Sequence, residues 1–500
     1  MKLSALFAGQ RVRVTGADVE ITHLAYDSRK VVPGTLFAAW AGSKMDGHQF
    51  IPQAVERGAA AILSEHAVDG TSVACVVAAD ARAALAQAGQ VFFSDPAQHL
   101  AMVGVTGTSG KTTTVHLIES ILRASGRTPG MIGTLGTRYR DTVAVTGLTT
   151  PDAIDLLGLL RAMLEAGVDS VAMEVSSHAL SMQRVAGVSF DVGVFTNLTQ
   201  DHLDYHATLD QYFAAKTRLF TERLKPHGVR VLNWDDPRVR TLVAPGALSF
   251  SQNDSQASIS VSQLQLAAGG THMRLRTPVG ELALSSALVG RFNVENILAA
   301  VGATLALGLS PDRIAAGVAA LRAVPGRLEL VSMTGEPQVL VDYAHKPDAL
   351  EKALLTTREM TRGRLFCVIG CGGDRDKGKR AKMGEVAAAG ADWTIVTNDN
   401  PRSEAPEEIA SAIEQGLKAH GAHVSRAARR GSYVMELDRH KAIELAIHAA
   451  KPGDTVLIAG KGHETYQIVG DTTLPFDDRV VARAALAERS SSRGTRRKHG

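Results

Sequence analysis

The fold is decided by the stretch Gly104-Val105-Thr106-Gly107-Thr108-Ser109-Gly110-Lys111-Thr112-Thr113-Thr114, which follows an apolar run and precedes a helical pattern. Glycines allow a tight turn in which backbone N–H groups and a helix N-terminus face one anion. In such a loop the lysine reaches the β- and γ-phosphates, and the hydroxyl after it binds Mg²⁺. The strict pattern has glycine where Val105 stands, so this is a variant phosphate loop. It predicts a nucleotide-binding domain with a buried parallel sheet, the alternative being a glycine-rich turn without a ligand.

The rest of the chain separates into regions on either side of this domain. A chain of 500 residues corresponds to roughly three domains, and linker-like segments at Asp95–His99 and Val324–Arg327 mark the breaks. We predict an α/β protein with three domains and a basic, disordered tail. The ranges are 1–98 for an N-terminal α/β domain, 99–325 for the central parallel-sheet domain, 326–489 for a C-terminal Rossmann-like domain and 490–500 for the tail.

Composition excludes several classes of protein. The formal net charge is +3, but four basic residues lie in the last eight positions, so the body carries no basic surplus that nucleic-acid binding would require. No apolar run reaches the roughly 18 residues of a membrane span. Cys75, Cys367 and Cys371 are too few for a disulfide framework. We therefore expect a cytoplasmic protein with structural thiols and no nucleic-acid or membrane partner.

Polar side chains follow two of the predicted central strands. Glu174 ends the apolar run 170–175, and the segment 196–206 after the next strand contains several Asp and His residues. Parallel sheets bind ligands outside the carboxyl ends of their strands. Each of these side chains alone could serve a loop or a helix cap, but beside a phosphate loop they indicate metal and substrate binding. Lys216, by composition alone, is a solvated helix residue.

Several motifs together resemble the Mur ligases of peptidoglycan synthesis. They are Thr106–Thr113, Glu174-Val175-Ser176-Ser177-His178, Thr196–Asp204, Gly290–Asn296, Pro325–Glu329 and Asp342-Tyr343-Ala344-His345-Lys346-Pro347, and the match extends in family order from Asp27 to Glu464. The resemblance implies a UDP-sugar-binding domain, a central ATPase domain and a C-terminal domain that receives an amino acid. It also implies an ATP-dependent ligase that forms an amide through an acyl phosphate.

The resemblance implies roles for the central residues. ATP would lie against the phosphate loop, with Lys111 among the catalytic groups, and Lys216 would carry a carbamate. Magnesium would be held by Thr112, Glu174, His202 and that carbamate. Further nucleotide contacts would come from Gly107, Thr108, Ser109, Gly110, Thr113, Asn296, Arg327 and Asp342, the last two supplied by the C-terminal domain. Capping of a helix is the alternative role for Asn296.

The resemblance also implies the acceptor, UDP-N-acetylmuramoyl-L-alanyl-D-glutamate. Ser28 would contact its nucleotide. Its peptide would be held by Thr149, Thr150, Ser176 and Arg184. Leu148 and Met182 depart from residues found in some members of the family.

The loop Asp399-Asn400-Pro401-Arg402 resembles that of the members that add meso-diaminopimelate. This amino acid differs from lysine by a carboxylate at its far end, and a planar guanidinium such as Arg402 binds a carboxylate with two parallel hydrogen bonds. Glu464 and the Gly460 carbonyl could accept the far-end ammonium, and Arg375 could bind the near carboxylate. The structural alternative is an Asn-Pro turn with a solvated arginine. The functional alternative is the same ligase reaction with L-lysine.

Other classes fit the sequence less well. A ligase like folylpolyglutamate synthase shares the central chemistry, but that family begins nearer to its phosphate loop. A GTPase switch lacks support because the sequence contains no Asn-Lys-x-Asp guanine motif, and a purely binding module would not need the full set of ATP and Mg²⁺ ligands. We expect a monomer.

Overall fold

The computed structural model describes residues 1–42, 45–68, 70–144, 147–267, 269–333 and 336–497. The backbone divides into two compact units. The first comprises Met1–Ser262, Arg274–Leu282 and Glu295–Ala320, and the second comprises Gln263–Met273, Ala283–Val294 and the chain from Leu321 onward. Each unit contains its own buried apolar clusters.

The first unit begins with a five-stranded sheet of order β1-β5-β4-β3-β2, in which β1 is antiparallel to β5 and the other pairs are parallel. Its strands are β1 Val12–Thr15, β2 His23–Ala25, β3 Thr35–Ala38, β4 Ala59–Ser64 and β5 Ala74–Ala78. The helices are α1 Leu3–Leu6, α2 Ile51–Glu56 and α3 Ala81–Phe92, with 3₁₀ turns at Ser28–Lys30, Gly47–Phe50 and Pro96–His99. The carboxylate of Asp80 caps α3 by accepting from the Ala83 amide.

The next sheet has eleven strands, and its buried centre is parallel. Its order is β16-β15-β14-β13-β12-β11-β6-β10-β7-β8-β9. The strands are β6 Ala101–Thr106, β7 Pro129–Gly133, β8 Gly136–Tyr139, β9 Thr142–Ala144, β10 Ser170–Glu174, β11 Phe190–Phe195, β12 Leu224–Asn233, β13 Leu248–Ser251, β14 Ile259–Ala267, β15 Gly270–Thr277 and β16 Gly280–Ser286. The helices are α4 Lys111–Ala124, α5 Ala153–Glu165, α6 Ser177–Ser181, α7 Leu203–His206, α8 Leu209–Glu222, α9 Pro237–Arg240, α10 Arg291–Ala306 and α11 Pro311–Ala320.

The second unit contains a seven-stranded sheet of order β17-β18-β23-β19-β20-β22-β21. The strands are β17 Glu329–Leu330, β18 Gln338–Asp342, β19 Leu365–Ile369, β20 Trp393–Val396, β21 His423–Val424, β22 Ser432–Met435 and β23 Thr455–Ala459, followed by a hairpin of β24 Tyr466–Val469 and β25 Thr472–Pro475. The helices are α12 Pro347–Met360, α13 Lys379–Gly390, α14 Pro406–Ala419, α15 Arg439–Ala449 and α16 Asp478–Arg497. Side chains of α12, α13 and α14 share one buried cluster and those of α15 and α16 another, so both faces of the sheet are covered. This arrangement confirms the predicted Rossmann-like layering.

The strands predicted from apolar runs are present at β6, β10, β11, β19, β20 and β23. The predicted alternation between residues 251 and 288 also appears, because inward and outward side chains alternate along β15 and β16. The three sheets fall within the three predicted ranges, whose boundaries at 98 and 325 stay predictions. All three cysteines are buried and none forms a disulfide. Of the helices described, none combines the length and apolar character needed to span a membrane.

The C-terminal segment differs from the prediction. We expected a disordered tail from residue 490, whereas α16 continues through Arg497. The first half of this helix is anchored by Val481, Ala482, Ala485 and Leu486, which are buried against the sheet. Since extending an existing helix adds one hydrogen bond per residue fixed, an anchored helix can continue into a basic segment. Residues 498–500 of the predicted tail lie outside the described residues.

Candidate active site

The phosphate loop lies between β6 and α4, as predicted, and its glycines are required by close packing. Gly107 and Gly110 have φ of 147° and 86°, a region that other residues rarely adopt. A side chain at Gly107 would collide with the Thr196 hydroxyl, and one at Gly110 would collide with the Asn296 carboxamide. The loop can therefore form only with glycine at both positions.

Lys111 lies over its own loop. Its Nζ donates to the carbonyls of Gly107 at 2.8 Å and Thr108 at 3.0 Å. Thr112 follows in the first turn of α4 and is buried. Gly110 at the N-cap of α4 has no side chain to cap the helix, so the helix N-terminus is suited to an anion. The loop thus combines an ammonium, a helix terminus and a buried hydroxyl.

Lys216 is buried, with 1% of its surface exposed, which corrects the expectation from composition of a solvated helix residue. The reason is tertiary, because α8 packs across β6 and brings the amine against the phosphate loop. Its Nζ donates to the Gly107 carbonyl at 2.8 Å and lies 4.5 Å from the centre of the Tyr212 ring. Burial, and then the nearby Lys111 charge, lower the pKa of Lys216 well below its usual value, while Asp201 opposes the shift.

Glu174 occupies the carboxyl end of β10, between β6 and β7, and is 1% exposed. Its Oε1 accepts from the Thr134 amide at 2.8 Å, and its Oε2 accepts from the Thr134 hydroxyl at 3.2 Å. Two oxygens are thus held in a fixed orientation. Glu174 thus lies at the end of its strand, as the apolar run predicts, and its role as a magnesium ligand stays a prediction.

His202 follows β11 in a left-handed conformation, with φ of 55°. Its ring centre lies 4.9 Å from that of His178 and 5.9 Å from that of Tyr212. The Tyr212 hydroxyl donates to Thr108 Oγ1 at 3.3 Å. Tyr212 therefore links the histidine, the phosphate loop and Lys216, a role that its place in an apolar helix pattern did not reveal.

The chemistry of this group fits Mg²⁺. A hydroxyl, a carboxylate and an imidazole are available, and carbamylation of Lys216 would add two oxygens, the ligand type that Mg²⁺ prefers. Within the described ranges no cluster of three or more His, Cys, Asp or Glu side chains could enclose a metal.

The predicted peptide-binding residues lie together beside Glu174. The Thr150 hydroxyl donates to the Glu174 carbonyl at 2.8 Å and accepts from the Ser176 amide at 3.2 Å. Arg184 donates to the Thr150 carbonyl at 3.3 Å, and Thr149 bonds Thr134 through their hydroxyls at 3.1 Å. Of the two departures from the family pattern, Leu148 is exposed and Met182 contacts Arg184 through sulfur at 3.5 Å.

This peptide-binding group is connected to the N-terminal sheet. Arg184 pairs with Asp152 at 3.0 Å, and the Tyr26 hydroxyl donates to Asp152 at 3.2 Å and to Asp155 at 2.6 Å. Two residues beyond Tyr26, the Ser28 hydroxyl donates to Gln53 Oε1 at 2.8 Å. Tyr26 and Asp152 thus join the predicted nucleotide and peptide contacts.

The remaining predicted nucleotide contacts lie in both units. Asn296, in the first unit, accepts from the Thr114 hydroxyl at 3.4 Å and packs against Gly110. In the second unit, Asp342 ends β18 and accepts from the Leu328 amide at 2.7 Å, and Arg327 lies 5.4 Å from the centre of the Tyr343 ring. Burial raises the pKa of Asp342, and the Arg327 charge opposes this.

The second unit gathers the predicted amino-acid residues. Arg402 has φ of 52°, and its Nη1 donates to the carbonyls of Gly373 at 2.8 Å and Asn400 at 3.5 Å. Asn400 Nδ2 donates to Glu464 Oε2 at 3.0 Å. Pro401 is buried. Gly460 lies against Asp399, since a Cβ atom added at Gly460 would be 2.7 Å from the Asp399 carboxylate.

Arg375 is exposed at the end of a loop held by Glu404. The Glu404 carboxylate accepts from the Asp374 amide at 2.6 Å and from both terminal nitrogens of Arg380 at 2.9 Å. The Arg380 guanidinium lowers the pKa of Glu404 to about 2. The Gly373 amide donates to the Asn400 carbonyl at 2.9 Å, so the loops that contain Arg375 and Arg402 are connected.

Comparison with known proteins agrees with this geometry. Three domain descriptions match successive parts of the chain: "Mur ligase family, catalytic domain" over residues 20–104, "Mur ligase middle domain" over 105–304 and "Mur ligase, glutamate ligase domain" over 326–462. Together they account for most of the chain.

Several relatives that match nearly the whole chain are named UDP-N-acetylmuramoyl-L-alanyl-D-glutamate--2,6-diaminopimelate ligase. The protein of that name from Geobacillus thermodenitrificans is 45% identical over 95% of this chain and 96% of its own length. The one from Gloeobacter violaceus is 46% identical, with 95% of each chain covered. A solved structure of a ligase with this name has a TM-score of 0.72 at 32% identity and covers 98% of this chain and 99% of its own. The chain belongs to the Mur ligase family.

Proposed function

We propose that the chain is an ATP-dependent ligase that joins meso-diaminopimelate to the D-glutamyl carboxylate of UDP-N-acetylmuramoyl-L-alanyl-D-glutamate, releasing ADP and phosphate. Two observations support the proposal: Lys216 contacts the phosphate loop, and Glu174, at the end of the strand beside β6, contacts Thr150. These contacts occur in a chain 45% identical to an enzyme named for the reaction. A catalyst of this reaction must bring two anions together, the γ-phosphate and the substrate carboxylate.

The first step transfers the γ-phosphoryl group to an oxygen of the substrate carboxylate. Lys111 and the N-terminus of α4 supply positive charge at the phosphates, where charge develops in the transition state. Thr112, Glu174, His202 and a carbamate on Lys216 would hold Mg²⁺. When bound, the ion would neutralise phosphate oxygens. In the second step the amine nitrogen attacks the acyl carbon, phosphate leaves and the amine loses a proton.

The buried Lys216 supports carbamylation. The uncharged amine attacks the carbon of CO₂, and loss of a proton leaves an anionic carbamate. Only the uncharged amine has the lone pair for this attack. Burial and Lys111 both favour that form. The modification therefore replaces an uncharged amine beside Lys111 with an anion that the Lys111 ammonium attracts.

The substrate roles follow the three predicted ranges. Ser28 in residues 1–98 would contact the UDP moiety, and Thr149, Thr150, Ser176 and Arg184 in 99–325 would hold the peptide. Asn296, Arg327 and Asp342 would contribute to nucleotide binding. In residues 326–489, Arg375 would bind the near carboxylate of the amino acid, and Arg402, with Asp399, Asn400 and Glu464, would bind its far end. The buried thiols suit a reducing compartment.

The test is a direct assay of the purified chain. With ATP, Mg²⁺, the UDP-muramoyl dipeptide and meso-diaminopimelate, we expect phosphate release and a product whose mass corresponds to one added diaminopimelate. Parallel reactions with L-lysine, with GTP and with a folate acceptor separate the alternatives. Phosphate release without an amide product, or equal use of L-lysine, would overturn the proposal.

A further inference from the structure

A fully buried lysine lies between the residues proposed to bind the far end of the amino acid. Lys461, in the loop after β23, is 0% exposed. Its Nζ donates to Asn400 Oδ1 and to Glu464 Oε2, each at 3.1 Å. The centre of the Tyr466 ring lies 5.5 Å from the same nitrogen. No sequence motif assigned this side chain a role.

The contacts of Lys461 fix the orientation of Asn400. Asn400 Oδ1 accepts from Lys461 and from the Ile468 amide, the latter at 2.9 Å. An amide oxygen with two donors cannot turn toward an ammonium, so Asn400 Nδ2 is directed at Glu464. Glu464 therefore receives a charged donor and a neutral donor from within the protein.

Burial of an ammonium is unfavourable unless a partner and hydrogen bonds compensate for lost hydration. Glu464 provides that partner, and its side chain is 17% exposed. One carboxylate thus faces Lys461 on its buried side while remaining accessible from outside. The charge of Glu464 is largely balanced before any ligand binds.

Four charged side chains belong to the two segments proposed to bind the far end, 399–402 and 460–464, and their formal charges sum to zero. Arg402 and Lys461 are positive, and Asp399 and Glu464 are negative. The buried Arg439 behind the loop is neutralised by its own ion pair with Asp478 at 2.7 Å. A balanced pocket complements a ligand end that is itself neutral overall, because transferring a net charge into it would create an uncompensated one.

We propose that Lys461 is a specificity-determining residue, which balances Glu464 so that the pocket selects an amino acid whose far end carries both a carboxylate and an ammonium. An amino acid whose far end is a lone ammonium, such as L-lysine, finds no surplus negative charge there. The inference rests on the proposed function and adds a residue to its specificity. Arg402 attracts the far carboxylate, whereas Lys461 disfavours the lone cation.

The test measures kcat/KM for meso-diaminopimelate and for L-lysine in Lys461→Gln, which removes the charge but retains an amide donor. We expect the ratio of the two values to fall at least about tenfold, mainly through KM for the amino acid. KM for ATP and for the UDP substrate should stay unchanged. A merely structural role would lower both amino-acid values equally, and a ratio within about twofold of the original would overturn the inference.

Two controls accompany this variant. Lys461→Arg keeps the charge and should retain the ratio, and Lys451→Met, at an exposed lysine of the same unit, should leave all constants unchanged. If Lys461→Gln fails to fold, the double variant Lys461→Met/Glu464→Gln decides, because it removes both charges and leaves the pocket balanced. We expect it to retain the preference within about threefold, and loss of the preference would overturn the inference. Inactivity of the original chain with meso-diaminopimelate would instead refute the proposed function.

Discussion

Lys216 illustrates how the environment of a single side chain changes its chemistry. Exposed on a helix, a lysine is a hydrated cation, but Lys216 is enclosed by the phosphate loop and the Tyr212 ring. Burial and Lys111 shift it toward the uncharged amine. We expect Lys216→Ala to lose activity by at least about 100-fold, measured as phosphate release. Bicarbonate should not restore it, whereas a short-chain carboxylic acid should restore part of it by supplying the missing carboxylate.

The matched control is Lys382→Ala, at an exposed lysine of α13, for which we expect unchanged activity. Circular dichroism establishes that both variants fold. Activity of Lys216→Ala within about tenfold of the original would contradict the carbamate assignment, because loss of a metal ligand typically costs at least that much.

His463 provides a prediction about pH. Burial lowers its pKa from 6.5 to about 4, assisted by the Arg327 and Arg479 charges, and its Nδ1 has no hydrogen-bond partner among the described residues. Between pH 6.5 and 4 the unfolded chain binds a proton that the folded chain does not. The free energy of unfolding should therefore decrease as the pH falls through this window, by at most about 1.4 kcal/mol per pH unit from this residue.

Urea unfolding of the original chain and of His463→Gln, followed between pH 7 and pH 4.5, measures this contribution. We expect a smaller decrease for His463→Gln than for the original chain. His420→Gln, at an exposed histidine, should follow the original curve. Parallel curves for His463→Gln and the original chain would show that His463 titrates normally in the folded protein.

At the scale of elements, the hairpin β24–β25 holds the loop that contains Arg402. The Arg402 amide donates to the Ile468 carbonyl at 3.1 Å, and the Gly470 amide donates to the Arg402 carbonyl at 2.8 Å. A left-handed residue other than glycine costs roughly 1–3 kcal/mol, and these bonds offset that cost. The hairpin thereby presents the guanidinium from a fixed backbone. Of the three guanidinium nitrogens of Arg402, only Nη1 donates to the described residues. The other two nitrogens can therefore bind a carboxylate.

We expect Arg402→Ala to abolish most of the preference for meso-diaminopimelate over L-lysine, reducing the kcat/KM ratio at least about 100-fold. The physical reason is loss of the only guanidinium proposed for the far carboxylate, while the acceptors for an ammonium remain. Arg402→Lys should recover little of the preference for meso-diaminopimelate, because an ammonium cannot form two parallel hydrogen bonds to a carboxylate. Arg426→Ala, at an exposed position, serves as the control. A ratio unchanged in Arg402→Ala would place the selectivity elsewhere.

The sequence predicted those elements whose signal is local. The strands β6, β10 and β19 appear as uninterrupted apolar runs, and the phosphate loop has its own spacing of glycine and lysine. The burial of Lys216 and Lys461 could not be predicted in this way, because it arises from packing against segments more than 60 residues distant. The hairpin β24–β25 was missed for a related reason, since its short strands are largely exposed and carry no apolar pattern.

At the scale of the whole molecule, the proposed ligand contacts are distributed over three sheets. Ser28 lies between β2 and β3 of the five-stranded sheet, and the phosphate loop follows β6 of the eleven-stranded sheet. Arg402 lies in the loop after β20 of the seven-stranded sheet. Each sheet has buried clusters of its own. A substitution of a ligand-binding residue near one sheet should therefore abolish the binding of one ligand. The fold and the binding of the other ligands should be unchanged.

Ligand-induced thermal stabilisation tests this separation. A ligand at 100 times its Kd stabilises the folded state by about 2.7 kcal/mol, which raises Tm by several degrees for a domain of this size. In the original chain, a non-hydrolysable ATP analogue and the UDP-muramoyl dipeptide should each raise Tm.

In Lys111→Ala we expect the far-ultraviolet circular dichroism and the shift from the UDP substrate to persist, while the shift from the ATP analogue and ATP turnover disappear. Lys111 contributes charge to the phosphate loop rather than apolar packing, so the fold does not depend on it. Loss of both shifts, or a changed spectrum, would mean that the lysine supports the structure of the loop itself.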